Sequence, residues 1–163
     1  MMRSAFNKIV ALGPRSFLIL TEIWLKLLLA RASFACLPES FATRIWFVSQ
    51  SVAKQEKPLS DAIKKQAKVD LIVKLLQIAV SHHWVTLTCL HRVLVLKNMM
   101  DKNGIPSAIV IGVKKNDDTL AAHAWLEVTG NVVADDEVYT RGFKPLMVKE
   151  EAQRVLLGLQ KTC

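Results

Sequence analysis

Cys89, His123 and the acidic pair Asp135–Asp136 have the types and spacing for thiol chemistry. Cys89 opens the apolar run "CLHRVLVLKNMM", and His123 lies 34 positions later inside "TLAAHAWLEV". Thr88 suits the N-cap, which puts Cys89 at the first helical position, where the positive end of the helix dipole stabilises a thiolate. A histidine within reach could take the thiol proton and later protonate a leaving amine. A carboxylate beside that histidine would hold its tautomer. Each residue also has an ordinary reading: a lone cysteine is a good small core residue. A buried imidazole, for its part, can be satisfied by a backbone carbonyl.

The local geometry of the last two residues offers a test. "TLAAHAWLEV" and "NVVADDEV" read as the strands of a hairpin about Gly130. A three-residue loop of Val128, Thr129 and Gly130 pairs Glu127 with Asn131 and sets His123 opposite Asp135. A two-residue Thr129–Gly130 loop sets it opposite Asp136 instead. Opposed residues share a face of the sheet, so either register leaves an aspartate beside the histidine.

The elements that must position these residues are helical first and extended later. Ser16 can cap a helix running to about Phe34, and Pro38 ends whatever precedes it. A second helix is expected over 40–55. A third, capped by Ser60, carries Ile63, Ala67, Leu71, Leu75 and Ala79 at every fourth position, with Ile72 and Leu76 beside them. The helix from Cys89 to Lys102 buries Leu90, Val93, Leu94, Met99 and Met100, and "DKNG" stops it with Gly104 as the left-handed cap. "SAIVIGV" over 107–113 is β-branched and apolar on both faces, as an interior strand is. A last amphipathic helix is expected over 148–159. The whole reads as an α+β domain, one helix docked on a small antiparallel sheet behind an N-terminal helical region. The division falls as a basic, apolar helical part over 1–80 that packs on a core over 81–163.

Length and composition bound what such a chain can be. At 163 residues, 52% hydrophobic, it can bury one sizeable core. The net charge is +8, and residues 1–89 carry 12 Lys/Arg against 5 Asp/Glu, while residues 90–163 carry 10 against 9. The basic part could face an acidic partner, a membrane surface or nucleic acid, or be a solvated surface. Three cysteines without C-x-x-C spacing exclude a disulfide framework or zinc ribbon and suit a reducing, cytoplasmic setting. "SHHW" and His91 lack the carboxylates and further cysteines of a metal site, so no metal and no cofactor are expected. The apolar segment over 16–34 is interrupted by Glu22 and Lys26, four apart, the spacing of a helical ion pair and not of a lipid-spanning core.

Over residues 86–140 the ordered pattern resembles the transglutaminase-like cysteine proteases that act as leader peptidases in lasso-peptide biosynthesis. It consists of Cys89, Leu90 and Arg92; Gly104, Ile105 and Pro106; Ile111, Gly112 and Val113; "HAWLEV" from His123; Gly130; and Asp135, twelve residues after the histidine. The resemblance implies a papain/transglutaminase-like fold and a triad of Cys89 as nucleophile, His123 as base and then acid, and Asp135 as orienting carboxylate. It selects Asp135 over Asp136. The activity it implies is removal of the leader from a ribosomally made precursor peptide. The implied partners are that precursor, a separate leader-recognition protein and a lasso cyclase, with no nucleic acid. A peripheral membrane contact of the N-terminal helices stays open. The alternatives are acyl transfer to an amine by the same triad, or a non-catalytic peptide-binding scaffold. The chain departs from papain-type enzymes six residues before the cysteine, where His83 replaces the oxyanion-stabilising glutamine. The Cys89 backbone N–H can serve as one oxyanion donor, and His83 or Trp84 is a candidate to approach the site.

Overall fold

Pro lacks a backbone N–H and fits the first turn of a helix, so the first helix begins ahead of Ser16. The computed structural model describes residues 13–36, 59–116 and 119–146. Helix α1 spans Gly13–Cys36, opened by Gly13 at φ +79°. Ser16, expected as a cap, instead lies inside it and is buried with Ile23, Leu27 and Ala30 on one face. The helices expected over 40–55 and 148–159 lie outside the described residues.

Helix α2 spans Leu59–Ser81 and therefore takes in Ser60, the residue expected to cap it. Its inward stripe is Val69, Ile72, Leu75, Leu76 and Ala79, while Ala67 is exposed and Leu71 only half-buried. A strict spacing of four drifts about 40° per step around a helix of 3.6 residues per turn. The buried seam therefore alternates threes and fours, and Ala67 of the expected stripe turns out to solvent.

Helix α3, Cys89–Lys102, is the centre of the molecule. Leu90, Val93, Leu94, Met99 and Met100 are buried as expected, and so are Val95 and Leu96. Fully burying each such side chain contributes about 1.5–3 kcal/mol. The helix ends at Asn103 and a left-handed Gly104 (φ +64°), whose N–H donates to the Asp101 carbonyl while that of Ile105 donates to Met100. Helices α1 and α2 pack on one another and on α3. Glu22 and Lys26 pair at 3.0 Å, and Lys102 of α3 joins Glu22 at 2.7 Å. Lys26 also donates to Asn98, so the charges that interrupt α1 tie it to the far end of α3. Among the described residues no helix is long and apolar enough to cross a membrane.

Four strands follow: β1 (Ala108–Asn116), β2 (Thr119–Val128), β3 (Asn131–Val133) and, after the short helix α4 (Glu137–Thr140), β4 (Lys144–Pro145). The sheet is antiparallel in the order β3-β2-β1-β4, which makes β1 interior. Ile111, Ala124, Leu126 and Val128 join the α3 side chains in the core. The β2–β3 turn is Thr129–Gly130, with φ of +51° and +83°. Both positive angles belong to the two-residue hairpin whose twist matches its strands. Val128 thus pairs with Asn131 and Leu126 with Val133, which corrects the three-residue loop. The second strand of the hairpin is also shorter than "NVVADDEV": Ala134 at φ +63° turns the chain out of the ladder.

Candidate active site

Cys89 stands where Thr88 puts it. Thr88 is the N-cap of α3, and its hydroxyl accepts from the His91 N–H at 3.5 Å. His91 completes a reciprocal cap in the position usual for Glu or Gln, its Nδ1 accepting from the Thr88 N–H at 3.1 Å. Burial, with the charge of Arg31, lowers the His91 pKa to about 4, so this ring is neutral at physiological pH. His91 is thus part of the mount of the helix end. Helix α1 supports the same end, since Phe34 meets the His91 ring edge-on at 5.7 Å.

The thiol approaches β2 where the sheet has no further strand. Because β3 stops at Val133, the edge of β2 beside His123 and Ala124 is uncovered on that side. The Cys89 thiol lies beside the His123 ring and the backbone amide of Ala124 there, and both favour its ionised form. Burial opposes ionisation of this thiol. Hydrogen bonding with His123, the amides of Ala124 and Leu90, and the charge of His123 outweigh it, and the net shift is downward from the ordinary 9.0. His123 moves the other way, above 6.5: its hydrogen bond with Cys89 raises it most, burial opposes, and Asp135 adds to the rise.

His123 Nε2 donates to Asp135 Oδ2 at 2.5 Å, which leaves Nδ1 for the thiol. The other carboxylate oxygen of Asp135 accepts the Asp136 N–H at 2.9 Å. Asp136 itself caps α4, taking the N–H groups of Val138 and Tyr139. The two aspartates therefore divide the work, one on the imidazole and one on a helix. Three aromatic rings surround His123: Trp125 stacked at 6.2 Å, Tyr139 edge-on at 5.2 Å and Phe143 tilted at 5.5 Å. Gly112 is the cross-strand partner of His123, and a Cβ there would lie 2.7 Å from the Trp125 ring and 2.8 Å from Phe143. A side chain at 112 would displace the rings that fix the imidazole.

Cys89, His123 and Asp135 open into a cleft of about 240 Å³ between α2, α3 and β2, where Gln77, Ser81 and Arg92 also present polar groups. His83 and Trp84 do not line it. His83 stacks on Trp24 of α1 at 4.8 Å and its Nδ1 accepts the Val85 N–H, while Trp84 is 79% exposed. Among the polar cleft residues, Arg92 is legible in the sequence as the residue one turn after Cys89. Gln77 and Ser81 are not, because only the packing of α2 on α3 brings them there. The aromatic surround depends on α4 and β4, short elements with no periodicity of their own. Cys36 is exposed and lies on α1, away from the cleft-lining residues.

A thiol of lowered pKa at a helix N-terminus, facing an imidazole on an antiparallel sheet, defines an α+β domain of papain-like design with groups of the kind used for nucleophilic attack on a carbonyl. Residues 41–148 match the family model of the transglutaminase-like superfamily, and the chain belongs to that superfamily. The match takes in α2, α3 and all four strands. Members of the superfamily are typically cysteine-dependent enzymes and include proteases and acyl transferases. Neither the curated proteins nor the solved structures contain a match to the chain.

Proposed function

We propose that the chain is a cysteine peptidase that removes the leader peptide from a ribosomally made lasso-peptide precursor, with Cys89, His123 and Asp135 as its triad. The observation that carries this reading is the alignment of the Cys89 thiol beside the His123 ring in one cleft, with the far nitrogen of that ring bonded to Asp135 at 2.5 Å. The sequence pattern from Cys89 to Asp135 supports the choice of lasso precursors within the superfamily.

In this reading the Cys89 thiolate attacks the scissile carbonyl carbon, and the imidazolium gives its proton to the leaving amine as the C–N bond breaks. The freed core peptide carries the new N-terminus, and the leader remains as a thioester on Cys89. His123, now neutral, takes a proton from water as the oxygen attacks the thioester. The released leader carries a carboxylate and the thiolate–imidazolium pair is restored. Asp135 keeps Nε2 protonated and the ring aimed throughout. Residues 1–80 serve as the helical support of a catalytic core over 81–163. A separate recognition protein delivers the leader, and a cyclase acts on the released core.

The test is to incubate the protein with a lasso-precursor peptide and a leader-binding protein, and to follow masses. Separate leader and core masses are expected, and Cys89→Ala and His123→Ala should each stop their release. Unchanged processing in either variant would overturn the triad. A mass gain on the peptide in place of cleavage would mean that an amine, not water, resolves the thioester.

A further inference from the structure

Arg92 is the one Lys or Arg among the described residues that line the cleft. It follows Cys89 by three residues on α3, and with Val93 and Leu96 it forms the helix face turned to the opening. Its side chain is exposed, and no described carboxylate is within ion-pair distance of it. The nearby acid does not serve it: both oxygens of Asp135 are engaged, one by His123 and the other by the Asp136 N–H. Other acids of the structure are taken as well. Glu22 holds Lys26 and Lys102, Asp101 holds Lys97, and Glu137 holds Arg141. Apart from Asp135, no described residue that lines the opening is an anion against which the guanidinium could fold, and Val80 and Val133 are among its apolar walls.

We propose that Arg92 forms an acid-binding subsite beside Cys89, which takes a Glu or Asp side chain of the peptide within about two residues of the bond that is cut. The distance follows from geometry. Residues three apart on a helix have Cβ atoms about 5–6 Å apart. An extended peptide advances about 3.3 Å per residue, so that separation corresponds to less than two residues of substrate. A planar guanidinium binds a carboxylate through two parallel N–H donors, which fixes the peptide's register over the thiol as well as attracting it. This inference rests on the peptidase reading for its substrate and deepens it by naming the substrate's chemistry.

The experiment measures how well capped pentapeptides shield Cys89 from alkylation by iodoacetamide. Three acetylated, amidated probes, Gly-Xaa-Gly-Xaa-Gly with Xaa as Glu, Gln or Lys, cover both sides of the thiol, and mass spectrometry reads the rate at Cys89. The Glu probe should protect at a concentration about two- to fivefold lower than the Lys probe, the range expected of a solvent-exposed ion pair. R92E should invert the order, and R92K should keep part of it. Equal protection by all three probes, no protection by any, or an order unchanged in R92E would each overturn the subsite. The readout needs no turnover. Persistent Glu preference without precursor cleavage leaves the subsite standing and sinks the leader-peptidase reading, and cleavage without that preference does the reverse.

Discussion

Asp135 reaches His123 from beyond the end of β3, not from a paired position within it. The ladder closes at Leu126–Val133, Ala134 adopts φ +63°, and the Asp135 carboxylate swings back to meet Nε2 at 2.5 Å. Had β3 continued in register, Asp136 would stand across from His123 and a strand would occupy the edge where the Cys89 thiol sits.

The two neighbouring aspartates should therefore be separable by mutation. Asp135→Asn leaves the shape but loses the charge that holds the imidazolium and its tautomer, and leader release should fall by about 10²–10⁴-fold with little change in melting temperature. Asp136→Ala removes the α4 cap, costing about 1 kcal/mol of stability, with a smaller loss of turnover. Turnover and thermal melts of both variants check this; equal kinetic losses would contradict the division of roles.

The pH profile of kcat/KM should be bell-shaped. Its acid limb follows loss of the thiol proton and lies below 9.0, since the Cys89 pKa is lowered. Its alkaline limb follows loss of the imidazolium proton and lies above 6.5, since that of His123 is raised. The two midpoints belong to the pair. Alkylation of Cys89 against pH gives an independent reading, and His123→Ala should move its midpoint upward. A midpoint that stays put would mean that the imidazole does not stabilise the thiolate.

Gly112→Ala tests the seat of the imidazole. The added methyl would meet Trp125 and Phe143 at under 3 Å, so rings or strands must shift. Such overpacking costs about 1–3 kcal/mol. Because the same rings flank His123, turnover should drop by more than the fraction unfolded explains, which activity measured well below the melting temperature would show.

His91 should make the fold acid-sensitive in a defined window. Its folded pKa of about 4 lies below the ordinary 6.5, so the folded state disfavours the proton. Stability is then fully present above pH 6.5, declines as pH falls toward 4, and is lower by up to about 3 kcal/mol below that. The cause is burial of the ring, with the charge of Arg31 beside it, and protonation would also take from Nδ1 the lone pair that accepts the Thr88 N–H. His91→Gln, which keeps an acceptor at the capping position, should flatten the decline in urea midpoints between pH 6.5 and 4.

Much of the architecture can be read from local signals. Thr88 before an apolar helical run sets the start of α3, and Gly104 sets its end, because caps act within one turn of the residues that make them. The α+β class follows from the change of period after Pro106. Glu22 and Lys26 announce a paired surface on α1. Ala67 of α2 was misjudged because a spacing of four ignores the drift of the helix, and Ser16 because Gly13 and Pro14 start the helix earlier.

Of the candidate site, the sequence by itself determined the three residue types and the helix end on which the thiol stands. Tertiary structure alone decided how they meet. The two-residue turn displaced the expected register by one, and it was the departure from the ladder at Ala134 that returned Asp135 to His123. The aromatic seat of His123 and the cleft wall at Gln77 and Ser81 come from elements far apart in the chain. Caps and turns are governed by neighbours in sequence, whereas the end of a strand and the approach of a helix to its open edge depend on which surfaces the whole chain buries together.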